Sequence, residues 1–247
     1  MSRYNIEKKK WDEKSSQELK KRQSWKYVQN YDDVFSNRNI LRPVYDYFTD
    51  IGSPGAMVLD YGCGSGWTAL LLATKAEKVK AFDISHGRIS ILNKIVEHNN
   101  IKNLEAIVAN SENLPYNDNT FDYVFGNAIL HHLTLEKCLS EIARVLKPNG
   151  RAAFCEPFAH NPFINFYRYI KHHYAEHYLG TDRPLKYSDM PVFEKYFHKV
   201  AFKESSFMRD RFKLLIPAER FFLKSSLLNR YVCYVTVLLG KTNKNLS

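Results

Sequence analysis

The stretch VLDYGCGSGW, Val58 to Trp67, decides the fold. An apolar run ends in Asp60, and three glycines follow at alternate positions, Gly62, Gly64 and Gly66. A strand that turns into a helix through such glycines brings backbone N–H groups close to a ligand, because no side chain stands between them. Two ligands are commonly held this way, a dinucleotide and an adenosylmethionine. The dinucleotide fingerprint is G-x-G-x-x-G, and here the third glycine arrives one residue early. Asp60 also stands where it would repel a pyrophosphate, whereas an ammonium or a sulfonium would tolerate it. A tight turn with no ligand is the plain alternative.

Outward from this turn the chain alternates between short apolar runs and amphipathic segments. AMVLDYG, KVKAFDIS, LEAIVAN, FDYVFGNA and RAAFCEP read as five strands. Between them, Thr68 to Lys75, Gly87 to Asn99 and Leu135 to Leu146 read as helices, the last stopped by Lys147-Pro148-Asn149-Gly150. Short apolar strands separated by helices predict a parallel sheet covered on both faces. KVAFKESSFM and RYVCYVTVLLG read as two further strands that complete the sheet as an antiparallel pair. The expected fold is therefore α/β: a Rossmann-like, seven-stranded, mostly parallel sheet with its last strand antiparallel. It divides into a helical N-terminal cap (1–45, broken by Pro43), the core (46–157), a helical insertion after strand five (158–197) and the final strands (198–247).

The chain has 247 residues and a formal charge of +10. Residues 1–45 hold 11 Lys/Arg against 6 Asp/Glu, residues 46–157 hold 10 against 13, and residues 158–247 hold 15 against 7. Basic flanks around a mildly acidic centre favour an anionic acceptor, a lipid headgroup or a nucleic acid, or else simply keep the surface soluble. The four cysteines, Cys63, Cys138, Cys155 and Cys233, form no CxxC pair, which argues against zinc and for free thiols in a reducing, cytoplasmic setting. No apolar run is long enough for a membrane span, and the N-terminus has no apolar core of a secretory signal. FMRDRFKLLIPAERFFLKSSLL, residues 207–228, mixes basic and apolar residues in a way that suits a membrane interface or a covering helix.

Asp83 ends the second strand, twenty-three residues after Asp60, where a carboxylate can take both hydroxyls of a ribose. The third strand runs into Asn110-Ser111-Glu112-Asn113-Leu114-Pro115, the fourth starts at Thr120-Phe121-Asp122, and EIARVLKPNG follows. As an ordered set these resemble the class I S-adenosylmethionine-dependent methyltransferases, in the small-molecule subgroup that carries D-x-G-C-G-x-G, D-A-E-x-L-P, S-F-D and E-x-x-R-V-L-K-P-G-G. The resemblance covers about residues 55–157, and EPFAHNPFINFYR extends a weaker one to about residue 190. It implies S-adenosyl-L-methionine as cofactor, with S-adenosyl-L-homocysteine as product. Asp60, Tyr61, Gly62, Cys63, Gly64 and Gly66 would surround its methionine part. Asp83 would hold the ribose, and Ile84, Asn110, Ser111 and Glu112 the adenine. Asn127 and Ala128 would face the methionine and the transferring methyl. Asn110 stands where the family often has Asp, and Asn149 where it has Gly.

Methyl transfer from a sulfonium needs alignment above all, and a general base only when the nucleophile must lose a proton. His131, His132 and Glu156 are the candidates, at the carboxyl edge of the sheet; packing or helix capping is the alternative for each. His160, His172, His173 and His177 fall in the insertion, and a metal site there is not expected. Tyr27 and Tyr31, one turn apart, would close over the sulfonium or pack on the sheet. The acceptor is expected to be small, lipid-like or aromatic, with an acidic group. A nucleic-acid methyltransferase and a cofactor-binding protein without turnover are the alternatives. The stretch after the fourth strand, GNAILHH, lacks the N-P-P-[YF] tetrapeptide common in amino-methylating nucleic-acid enzymes.

Overall fold

A computed structural model describes residues 3–21, 24–27, 29–38, 40–159, 161, 165–166, 183–206 and 234–241. Seven strands form one sheet: β1 (Met57–Tyr61), β2 (Lys78–Asp83), β3 (Leu104–Val108), β4 (Phe121–Asn127), β5 (Leu146–Pro157), β6 (Lys199–Ser206) and β7 (Tyr234–Gly240). Their order is β3-β2-β1-β4-β5-β7-β6. The first five run parallel, and β7 lies antiparallel between β5 and β6. The order reverses between β1 and β4, which places a ligand crevice at the carboxyl ends of those strands.

The described helices are α1 (Arg3–Lys21), α2 (Tyr31–Asn37), α3 (Arg42–Tyr47), α4 (Trp67–Ala73), α5 (His86–His98), α6 (Leu135–Val145) and α7 (Met190–Glu194). Two apolar layers sandwich the sheet. On one face Phe35, Val44, Phe48, Leu71, Ile91 and Leu92 from α2 to α5 pack on Val58, Val79, Ala81 and Phe125. On the other, Leu139, Ile142, Val145 and Phe193 from α6 and α7 pack on Leu59, Val124, Phe154 and Val237. Strands so covered are apolar on both sides, which is why β1 reads as a run rather than as an alternation.

Three details differ from the sequence reading. Pro43 does not interrupt a helix; it opens α3 from the first turn, where its missing N–H costs nothing. The N-terminal segment is several pieces rather than one cap. Helix α1, with Lys26, Tyr27 and Gln29 after it, lines the crevice, while α2 and α3 belong to the sheet's own core. Helix α6 ends at Val145, and the KPNG turn is absorbed into the start of β5, with Asn149 taking a left-handed φ of 63° that asparagine tolerates. The insertion's histidines, Cys233 and the 207–228 stretch lie outside the described residues. No helix among the described residues is long and apolar enough to cross a membrane.

Gly66 is the tightest point of the β1–α4 turn. Its φ is 91°, and a Cβ there would come 2.2 Å from Leu92 Cδ1 on α5. Gly66→Ala should therefore cost about 3 kcal/mol, from the left-handed strain and the overpacking together. Urea unfolding of the variant against wild type measures it; an unchanged midpoint would show that α5 yields freely.

Candidate functional site

The turn after β1 is held from beneath and from the side. Cys63 N–H donates to Phe82 O at 2.8 Å, tying it to β2. Gly64 N–H donates to Asp83 Oδ2 at 2.9 Å, and Ser85 N–H donates to Asp83 Oδ1 at 2.9 Å. One carboxylate thus fixes both the glycine turn and the entry to α5, whose N-cap is the Ser85 hydroxyl. Burial pushes the Asp83 carboxyl up, while these N–H groups and the Arg88 charge hold it down. Asp60 lies fully buried below the turn and accepts a hydrogen bond from Thr68 Oγ1 at 2.6 Å. Burial, with the Asp83 charge adding to it, pushes its carboxyl up to about 7.

A cavity of about 650 Å³ opens above this turn. Of the residues singled out from the sequence, Gly62, Cys63, Gly64, Asp83 and Ile84 line one side. Ser111, Asn127, Ala128 and His132 line the other. Ala128 carries a left-handed φ of 57°, and its N–H donates to Cys155 O at 2.8 Å, so the end of β4 is bent sharply into the cavity rim. The remaining candidates do not reach the cavity surface. Tyr61 is buried and donates its hydroxyl to Ser111 O at 2.6 Å. Gly66 packs on Leu92. Asn110 accepts from Glu112 N–H at 3.0 Å, shaping the loop, and Glu112 pairs outward with Lys137. Tyr27 lines the cavity, but Tyr31 does not: it is buried in a stack with Phe35 and Tyr45.

His131 and Glu156 form a buried unit behind the rim. Glu156 is completely buried, and Oε1 accepts from Ile129 N–H (2.9 Å) and Leu130 N–H (2.8 Å). Oε2 lies 2.7 Å from His131 Nδ1, and with the carboxylate as acceptor this nitrogen carries the proton. Glu156 therefore fixes the 129–131 turn by satisfying its otherwise unmatched N–H groups. His132, next in sequence, is the histidine that faces the cavity.

The sequence reading missed the contribution of α1. Glu7, Trp11 and Glu18 line the cavity from that helix, and Arg88 lines it from α5. Asp12 Oδ1 accepts from Ser85 Oγ at 2.5 Å, and Glu18 accepts from Ser65 Oγ at 2.6 Å, so α1 is latched to the turns that follow β1 and β2. The Arg88 guanidinium lies 4.3 Å from the centre of the Trp11 ring. A charged helix in an unremarkable N-terminal segment carries no local signal that its acidic residues meet a turn some fifty residues away.

Asp60 gives a pH prediction. Its carboxyl titrates higher in the folded chain than its ordinary 3.8, so the folded state favours the protonated form. That stabilisation is full below about pH 4 and is lost as pH rises through about 7. Between pH 5 and pH 8, wild type should lose about 2–3 kcal/mol relative to Asp60→Asn, which has no such proton to lose. Urea unfolding of both proteins at the two pH values measures it, and parallel behaviour would remove Asp60 as the titrating group.

Comparisons with known proteins agree with this architecture. Residues 59–154 match the family model described as a methyltransferase domain. A demethylmenaquinone methyltransferase of Bacillus mycoides (strain KBAB4) is 33% identical over 64% of this chain and 62% of its own length. One from Symbiobacterium thermophilum is 39% identical over 47% of each. The chain thus spans under two thirds of the length of these relatives. The crystal structure of a geranyl diphosphate C-methyltransferase from Streptomyces coelicolor A3(2) superposes with a TM-score of 0.63 at 12% identity, over 98% of this chain and 99% of that one. The matched segment holds the glycine turn, Asp83, the bent end of β4 and most of β5, and over these residues the chain is similar to methyltransferase domains.

Proposed function

We propose that the chain transfers a methyl group from S-adenosylmethionine to a small, lipid-like acceptor. The observation that carries this is the single cavity joining the glycine turn, the Asp83 carboxylate and the end of β4. The chain's own groups fit that cofactor. Asp60 Oδ1 is buried with no hydrogen-bond partner and sits beneath the turn, so the site is short of positive charge. The lining adds carboxylates from Glu7, Glu18 and Asp83 against cations from Lys26 and Arg88. A ligand that carries an ammonium and a sulfonium supplies what is lacking; a pyrophosphate would not.

In this reading Gly62, Cys63 and Gly64 hold the methionine part, with Asp60 acting on it through the field. Asp83 holds the ribose. Ile84 and Ser111 flank the adenine, and Ala109, which the sequence reading did not single out, joins them. Asn127 and Ala128 face the reacting end. The cofactor supplies an already activated methyl group. The chain supplies alignment in a cavity of ordinary ligand size and exclusion of water by α1. Residues 158–197 are assigned to the acceptor side. Their described ends are tied beside the 130–132 turn, through Arg183 N–H to His131 O (2.9 Å) and Leu185 N–H to Pro157 O (3.0 Å). The relatives' names support a lipid-like acceptor over a nucleic acid.

Calorimetric titration of S-adenosylmethionine and S-adenosylhomocysteine tests the reading. Wild type should bind both. Asp83→Ala should weaken binding about tenfold to a hundredfold, the worth of charge-assisted hydrogen bonds. Asp83→Asn, which keeps an acceptor for Gly64 N–H, separates loss of ligand contact from loss of the turn. A folded wild type that binds neither ligand would overturn the proposal.

A further inference from the structure

Among the described residues the cavity has one histidine on its wall, His132, and beside it a carboxylate from the N-terminal helix, Glu7. Glu7 Oε1 on α1 lies 3.8 Å from His132 Nδ1. Both side chains are at least nine-tenths buried yet line the cavity. Trp11 fixes the pair: its Nε1–H donates to Glu7 Oε2 at 2.9 Å, and its ring meets the His132 ring edge-on at 5.6 Å. The His131 ring also lies against it, with ring centres 3.9 Å apart and planes inclined by 41°, and is itself tied to Glu156. The imidazole is therefore oriented from two directions, at the end of β4 where the reading above puts the transferring methyl. A contact slightly beyond hydrogen-bonding length is common in unliganded active sites and tightens when ligand fills them.

We propose that Glu7 and His132 form a carboxylate–imidazole pair that removes the proton of a hydroxyl-bearing acceptor, with Glu7 as a positioning residue supplied by the N-terminal helix. This rests on the methyltransferase reading and names its acceptor class. As the acceptor oxygen attacks, the new O–CH3 bond forms and the S–CH3 bond breaks, with the electron pair left on sulfur. The hydroxyl proton passes to His132 Nε2 and later to solvent. Glu7 accepts from Nδ1–H, which leaves Nε2 as the accepting nitrogen and stabilises the imidazolium that forms. The division of labour follows from burial: His131–Glu156 builds the turn, and His132–Glu7 faces the chemistry. An alkene acceptor would call on a base only after the methyl has transferred, to take a proton from the carbocation, whereas a hydroxyl acceptor needs it as the new bond forms. The other charges near it are Lys10, 3.6 Å from Glu7 Oε1, together with Lys14 and Arg88 on Trp11.

The test uses the full chain with bound S-adenosylhomocysteine. Nitrogen-detected NMR of labelled histidines, with His132→Gln to assign the signal, should show His132 as the Nδ1–H tautomer in wild type. In Glu7→Gln it should be a mixture, and in Glu7→Asp largely restored. An identical tautomer in wild type and Glu7→Gln would overturn the pairing. In turnover, 1,4-naphthohydroquinone is the hydroxyl probe and geranyl diphosphate the alkene probe. His132→Gln should lower kcat on the hydroquinone about a hundredfold, the worth of a proton acceptor, and Glu7→Gln about tenfold, because the base loses the partner that orients it. KM and S-adenosylhomocysteine affinity should stay within about threefold, the mark of an interaction made in the transition state. A joint fall in cofactor affinity would reduce Glu7 to a helix anchor, and transfer to geranyl diphosphate but not to the hydroquinone would overturn the acceptor class. A wild type that binds no S-adenosylhomocysteine would overturn the methyltransferase reading and the proton transfer built on it, while the tautomer, read without ligand, decides the Glu7–His132 pairing separately.

Discussion

The hydrogen bonds of the Asp83 carboxylate are the point on which the site depends. One oxygen takes Gly64 N–H and the other takes Ser85 N–H. Without that carboxylate the glycine turn and the start of α5 would each carry a buried donor with nothing to accept it. The bond can form only because β1 and β2 are parallel neighbours in register, with Tyr61 opposite Phe82, so both strands end at the same level. The sheet order is thus expressed in a single side chain. A group so placed holds the fold together and still lines the cavity.

The N-terminal helix depends on the same turns. Asp12 reaches the Ser85 hydroxyl, and Ser15 lies so close to Gly87 that a Cβ there would fall 1.9 Å from its oxygen. Gly87 is required by this approach and by nothing in its own helix, whose φ at that residue is ordinary. Helix α1 is itself a poor candidate for independent stability, being strongly charged and bearing few large apolar residues. Its place is set by carboxylate contacts to hydroxyl groups at Ser65 and Ser85 and by Trp11 against Arg88. A wall made largely of polar contacts is the kind of element that can open for ligand exchange.

What could be read from the sequence follows the range of the interactions involved. The five parallel strands, the glycine turn and Asp83 are announced by local patterns: apolar runs of strand length, left-handed residues, and an acidic residue at a strand end. The closing antiparallel pair was legible as two strand-like segments at the end of the chain, but the insertion of β7 between β5 and β6 was not. The burial of Asp60 and Tyr61 was not, because a residue before a glycine turn can face the ligand or the core depending on which way the pleat falls. Nor was the split between His131 and His132. Adjacent residues point in different directions, and only the 3-10 turn at Leu130–His132 decides which of them meets Glu156. Glu7 and Trp11 lay beyond reach, since nothing local pairs residue 7 with residue 132.

The charge pattern shows where composition and site part company. The flanking segments are basic in sequence, yet α1, which belongs to a basic flank, presents Glu7 and Glu18 to the cavity and Asp12 to its rim. Its lysines Lys10 and Lys14 lie along Trp11 instead, where an aromatic face accommodates their charge. Net charge describes what the surface shows to distant partners, over lengths at which solvent averages the individual groups. A cavity is governed by the few groups within several ångströms, in a medium that screens them poorly. Here those few groups are mostly carboxylates, and three of the buried ones answer different needs. Glu156 is satisfied by backbone N–H groups and His131, Asp83 is half satisfied by the turns it ties, and Asp60 retains an oxygen that no group of the chain meets. That gradient of satisfaction runs from the carboxyl end of the fifth strand to the residues beneath the glycine turn, and its last member is a buried oxygen that the chain itself leaves unmatched.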